Sequence, residues 1–205
     1  MELIDMRLQD YLQLVASDAS APGGGSASAL CGAQGIGLIA MVAKLTLGKE
    51  KFAAHHEVCR TVAADADGLC GKLTEQIDVD TRAYGRIAEA FRLPRQTDEE
   101  KAQRKAAIAD ATLYAAEVPM QTMRLALVGL HCAELLLGHY NTNCASDVGC
   151  GIHGLLACVH GAWLNVQINA GGLAQQEQLL KEGSEITAQA ENLTHALLTE
   201  LQRDI

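Results

Sequence analysis

One stripe of apolar residues limits the architecture of this chain more than any other feature. Stepping by fours and threes from Phe52 gives His56, Cys59, Ala63, Ala66, Cys70, Leu73, Ile77, Asp80, Tyr84, Ile87 and Phe91. That repeat keeps side chains on one face of a long helix packed against a neighbour, so the spacing predicts a single helix over 52–91. Asp80 breaks the stripe. A carboxylate among apolar partners is costly unless paired or protonated, and its pKa rises. Two readings stay open: a functional acid in a cleft, or a structural carboxylate where the seam opens to water or is tied to a neighbouring helix. Asp78, about 200° away around the helix, is expected to be solvated.

The remainder of the chain is also helical in pattern. Alanine and leucine recur with helical period, proline is scarce and no run alternates with period two, which makes the class all-α. With 205 residues and no linker or composition shift, one domain over 1–205 is expected. The apolar stretch Ala27–Ala43 is interrupted by Ser28 and Gln34 and falls short of the roughly 20 residues of a bilayer span. It reads as a buried core helix. The N-terminus lacks the basic region and apolar run of a signal peptide, so a cytoplasmic location is expected. Seven cysteines without repeated spacing read as reduced thiols. A net charge of −9 argues against nucleic acid as the main partner.

In chain order, a helix is expected over about Leu3–Ala16, with Leu8, Tyr11, Leu12 and Val15 on one face. The run Ala21-Pro22-Gly23-Gly24-Gly25-Ser26 follows. Its backbone N–H groups, with the helix N-terminus behind them, could hold an anion or polar ligand edge. The alternative is a tight turn with Ser26 as N-cap. Ser28, Gly32 and Gly35 recur at helical spacing and admit a second backbone at close range. The second helix should break near Leu47-Gly48. Leu93-Pro94 should end the stripe helix, and Thr97 with Glu100 forms a capping box. That helix is expected to reach about Glu117, where Pro119 either kinks it or starts the next. A buried helix over Met120–Leu137, a polar loop over 138–143, a helix capped by Ser146-Asp147 and running to about Ala170, and a last helix over Gln175–Gln202 complete a bundle of about six helices.

Asn165 and Asn169 stand one turn apart in an otherwise apolar run, and buried amides need partners. They either cross-link helices or recognise the donor and acceptor edge of a heterocycle. Cys150, His153 and His160 share a face but match no metal-ligand spacing, and no thiol has an evident activating partner. Acid–base chemistry by a carboxylate in a helical cleft remains.

Taken in order, the motifs resemble those of the cyclodeaminase domain of formiminotransferase-cyclodeaminase and its single-domain relatives, which include methenyltetrahydrofolate cyclohydrolases. The resemblance spans nearly the whole chain. It rests on Ala21–Ser26, Leu45–Lys51, Ile77–Asp80, Ala90–Pro94 with Thr97–Lys101, Val118-Pro119, Asn141-x-Asn143 with Ser146-Asp147, and Asn165-Val166 with Asn169. Members usually carry Gly-Asn where this chain has Tyr140-Asn141. The resemblance implies an all-helical homodimeric enzyme acting on the one-carbon bridge of tetrahydrofolate without metal or cofactor, with Asp80 at the position of the catalytic aspartate. It further implies a pterin cleft lined by Gly23, Gly24, Gly25, Ser26, Asn143, Asp147, Asn165 and Asn169, with Lys49 or Lys51 meeting the glutamate tail. Formimidoyltetrahydrofolate cyclodeaminase is placed first and methenyltetrahydrofolate cyclohydrolase second. The rival of another class is a non-catalytic helical folate binder or scaffold dimer, and a metal protein using His153 and His160 ranks last.

Overall fold

The computed structural model describes residues 2–205. Six α-helices carry the fold: α1 (Leu8–Val15), α2 (Gly24–Leu47), α3 (His56–Arg92), α4 (Asp98–Leu136), α5 (Ala145–Asn169) and α6 (Gln176–Leu201). Short 3-10 turns occupy Leu3–Asp5, Glu50–His55 and Thr142–Cys144. The described residues contain no strand, as an all-α chain requires.

Helix α2 is the axis of the bundle, packed between α3 and α5 and antiparallel to both. Ser26 meets Asp80 while Lys44 meets Asp67; Gly24 meets Asn165 while Asn141 meets Thr46. At 24 residues α2 is long and apolar enough to cross a bilayer, longer than the stretch marked out by the sequence. Here it packs as a core helix, with Ile36, Ile39, Val42 and Ala43 fully buried.

The small residues of α2 do what their spacing implies. A Cβ on Gly35 would lie 2.7 Å from the Gly151 carbonyl oxygen and 2.8 Å from the Leu155 nitrogen, so the two backbones touch there. Because both obstacles are main chain, neither can rotate aside. Gly35→Ala is therefore expected to cost at least the 1–3 kcal/mol or so of an overpacked core, read as a lower midpoint in chemical denaturation.

The predicted stripe helix begins at His56 rather than Phe52, whose φ of −108° and ψ of 18° interrupt helical geometry. Along α3, Cys59, Ala63, Ala66, Leu73 and Ile77 are buried, whereas Tyr84 and Phe91 are exposed. Asp80 sits half-buried where the seam gives out. Beyond it α3 runs on to Arg92 beside the start of α4, forming a two-helix arm that projects about 18 Å past the beginning of α2.

Several expectations are corrected. Asp78 is buried, not solvated: the N-terminal segment folds over it, and its carboxylate accepts N–H bonds from Leu3 (2.6 Å) and Ile4 (3.3 Å). That anchorage splits the predicted first helix into a 3-10 turn and α1, of which only Tyr11 is buried while Leu8, Leu12 and Val15 stay exposed. Pro119 neither stops α4 nor starts a new helix, so 98–136 is continuous. Helix α5 starts at Ala145 without a side-chain cap from Ser146 or Asp147. The capping box of α4 forms as predicted, with Thr97 Oγ1 accepting from the Glu100 N–H and the Glu100 carboxylate accepting from the Thr97 N–H.

Candidate active site

At the start of α2 the chain builds a carboxylate into a helix terminus. Gly23 occupies the N-cap position and brings no side-chain acceptor, so the first-turn N–H groups need another partner. Asp80 of α3 supplies it, its Oδ2 accepting from the Ser26 N–H at 2.9 Å. Ser26 is thus the third residue of α2, not its cap. Its hydroxyl lies 2.7 Å from the Ile77 carbonyl, 3.1 Å from Asp80 Oδ2 and 3.1 Å from Thr81 Oγ1. A hydroxyl has one proton, and the Ile77 carbonyl and the ionised Asp80 carboxylate can both only accept, so Ser26 donates to one of them at a time. While it donates to Ile77, its oxygen is free to accept from a protonated Asp80.

Two influences therefore compete at Asp80. Burial disfavours the anion and raises the pKa above the usual carboxylate range, while the bonds from Ser26 pull it down; burial is the larger. The positive end of α2 also favours the anion. Oδ2 is anchored, whereas Oδ1 has no hydrogen-bond partner among the described residues, which leaves it for a ligand. The geometry is that of an acid–base group with one oxygen fixed and one available.

Asp80 lines a cleft of about 120 Å³ with Gly23, Gly24, Gly25, Tyr84, Asn165 and Asn169. Asn165 donates from Nδ2 to the Gly161 carbonyl (2.8 Å) and lies against Gly24. Asn169 donates to the Ala115 carbonyl at 2.8 Å, and the reason lies four residues further along α4. Pro119 has no N–H to offer Ala115, so that carbonyl would be orphaned; Asn169 of α5 fills the gap. Asn169→Ala is expected to cost about 1–3 kcal/mol, and less when Pro119→Ala restores the helical donor, a coupling that a double-mutant cycle in denaturant measures. With each amide nitrogen holding a carbonyl, the amide oxygens remain as acceptors at the cleft.

The sequence-predicted site residues thus divide into two groups. Asp80, Gly23, Gly24, Gly25, Ser26, Asn165 and Asn169 converge at one end of the molecule. Lys49 and Lys51 lie past the other end of α2, about 36 Å from Gly24. Asn143 and Asp147 share that end, Asp147 standing about 27 Å along α5 from Asn165. Within one chain the structure does not bring these four to the cleft. Cys150 and His153 are exposed and His160 faces Glu191 at 3.0 Å; no group of three metal-ligating side chains forms among the described residues.

Sequence reasoning missed Tyr84, which lines the cleft, and Tyr11 behind it. The Tyr11 hydroxyl is buried without a partner, and burial, then the neighbouring Cys31 and Asp80, push its pKa up. Tyr84 was legible as a stripe member one turn beyond Asp80. Tyr11 carried no signal beyond its place on an apolar face.

Residues 7–200 match the family model described as formiminotransferase-cyclodeaminase. Among curated relatives, the methenyltetrahydrofolate cyclohydrolase of Methylorubrum extorquens is 37% identical over 186 residues, covering 89% of each chain. The formimidoyltransferase-cyclodeaminase of Gallus gallus is 31% identical over 176 residues, 85% of this chain but 32% of its own length. This chain thus spans about a third of that longer relative. A crystal structure of formiminotetrahydrofolate cyclodeaminase from Thermotoga maritima superposes with a TM-score of 0.86 over 98% of both chains at 24% identity, which supports the helical architecture. With the family model matching residues 7–200 and a relative 37% identical over 89% of each chain, the chain belongs to the formiminotransferase-cyclodeaminase family.

Proposed function

We propose that this enzyme hydrolyses the one-carbon bridge of methenyltetrahydrofolate, with Asp80 as its acid–base group. The site observation that carries the reading is the half-buried carboxylate anchored through one oxygen and open at the other. The order of the two family reactions rests on similarity: the relative named a cyclohydrolase is 37% identical, against 31% for the formimidoyltransferase-cyclodeaminase of Gallus gallus and 24% for the cyclodeaminase of Thermotoga maritima. This places second the deaminase that the motifs alone put first.

Water adds to the methenyl carbon and loses a proton to Asp80. In the resulting carbinolamine the bond from that carbon to N5 breaks, Asp80 returns the proton to N5, and the hydroxyl becomes the formyl carbonyl on N10 as its proton leaves to solvent. In the deaminase reaction N10 adds to the formimino carbon, Asp80 takes the N10 proton, and the amine leaves as ammonia after protonation. Both need a carboxylate that takes a proton and returns it, and a pKa raised by burial makes Asp80 a stronger base for the first transfer. No cofactor enters this scheme. The glycine backbone and the Asn165 and Asn169 oxygens meet the polar edge of the pterin.

The same reading includes a homodimer. Helices α2 and α5, in contact at Cys31 and Gly154, leave Met41, Leu45, Leu164 and Ile168 exposed, apolar surface suited to a second copy. Light scattering at twice the chain mass would support it; the monomer mass would refute it.

Near-ultraviolet absorbance of the methenyl bridge tests the activity. Protein added to methenyltetrahydrofolate is expected to speed the fall in absorbance over the uncatalysed decay. A rise with formiminotetrahydrofolate and no fall with methenyltetrahydrofolate would make it the deaminase. No change in either would leave a folate binder.

A further inference from the structure

We propose that the arm formed by the end of α3 and the start of α4 is the docking site for the γ-glutamyl tail of the folate substrate, held by Arg95, Lys101, Arg104 and Lys105. This rests on the folate reading above. It assigns the tail to a place other than Lys49 and Lys51, which are at the far end of α2.

Cations are concentrated on the arm. In a chain of net charge −9, residues 92–105 hold five of the 16 Lys and Arg residues against three acids. Those acids are engaged: Asp98 pairs with Lys101 at 2.7 Å, Glu99 accepts from Gln103 Nε2 at 3.4 Å, and Glu100 accepts from the N–H groups of Gln96 and Thr97. Arg95, Lys101, Arg104, Lys105 and Ile108 line an open cavity of about 330 Å³. Arg95 and Lys105 have no ion-pair partner among the described residues. The amino end of α4, into which Lys101 falls, adds the positive end of a helix dipole.

The cavity is aligned with the cleft. Asp80 and Phe91 are 11 residues apart on α3, and Ala115, which lines the cleft, is 11 residues from Arg104 on α4. Eleven residues are close to three full turns, so each pair shares a face about 16 Å apart. Between them Tyr84 and Ile87 continue the stripe, and Phe91 ends it under the Arg104 guanidinium, 5.3 Å from the ring centroid. Arg104 also donates to the Phe91 carbonyl at 3.3 and 3.1 Å, fixing the far end. Tyr84 and Phe91 are both more than half exposed, which leaves ring surface open along the track. An aminobenzoyl ring can lie on that track with its pterin at Asp80 and its carboxylates among the cations. The cleft alone is smaller than a typical ligand pocket of about 300 Å³ or more, so most of the substrate must lie outside it.

The test compares methenyltetrahydrofolate carrying one and three γ-glutamyl units, with wild type and with the double variant Arg95→Gln/Lys105→Gln. Both positions are exposed, and far-ultraviolet circular dichroism checks the fold. For wild type, KM is expected to be about 10-fold lower with three units than with one. That advantage should fall away in high salt, which screens exposed charge, and should largely vanish in the variant while kcat holds. Equal KM values for the two substrates in wild type, or a variant that keeps the full advantage, would overturn the tail site while leaving the activity standing. No turnover of either substrate by wild type would instead overturn the folate reading, and the tail site with it.

Discussion

Asp80→Asn is expected to lower turnover of the methenyl bridge by about 10²–10⁴-fold, the usual contribution of a positioned acid–base group, while the protein folds and still binds folate. Asparagine keeps the shape and can accept from the Ser26 N–H through its amide oxygen, so the start of α2 survives. The stability consequence has a definite sign. Burial raises the Asp80 pKa in the folded chain, so the protonated carboxyl contributes stability at pH below its unfolded value. That contribution is lost as pH rises through the folded pKa. Asparagine removes the cost of ionisation, and the variant is expected to be at least as stable as wild type at neutral pH though nearly inactive. The wild-type acid limb of kcat/KM should fall at a pH above the ordinary carboxylate range. Near wild-type turnover by the variant would sink the assignment.

Gly25→Ala should also disable the site, by a different route. A Cβ at Gly25 would clash with Asp80 Oδ1 and lie 2.7 Å from Oδ2, so the carboxylate and the methyl group cannot both keep their places. The anchored oxygen must give up the Ser26 N–H, or the first turn of α2 must shift. Displacement of a reacting group by about 1 Å can cost on the order of 10²-fold in rate, and overpacking about 1–3 kcal/mol in stability. For a chain of this length that lowers Tm by roughly 2–4 °C per kcal/mol. Gly23→Ala is the control for the loop backbone. Its Cβ would meet nothing within 4 Å, and its φ of −110° suits any residue, so Tm should stay at the wild-type value. A Gly25→Ala protein with wild-type kcat would show that the contact between loop and carboxylate is dispensable.

Much of this arrangement was legible because helical period and burial coincide along α3. The stripe marked both the core face and the one carboxylate interrupting it, and the small residues of α2 forecast a close backbone contact, which α5 makes. Asp78 was misread because angular position around a helix says which face a residue takes, not whether a distant segment will cover that face. Only the backbone of Leu3 and Ile4, 75 and 74 residues away, settles its burial. Pro119 left a kink or a new helix open, and the continuous α4 removes the second: propensity treats a missing N–H as a local defect, whereas Asn169 takes the freed carbonyl from another helix. The motifs around Lys49, Lys51, Asn143 and Asp147 lie in the right order along the chain, but order says nothing about which end of a 24-residue helix a loop occupies.

Because the same carboxylate oxygen accepts the Ser26 amide and belongs to the group that titrates, the opening turn of α2 and the proton inventory of the cleft are one equilibrium. Protonating Asp80 weakens a charge-assisted bond to the helix start, and tightening that bond favours release of the proton. A ligand that presses on the glycine backbone would therefore alter the basicity of Asp80, and a proton gained or lost there would be felt in the main chain that holds it. Amide hydrogen exchange at Ser26 is where this linkage can be watched, its protection rising with pH as the carboxylate ionises.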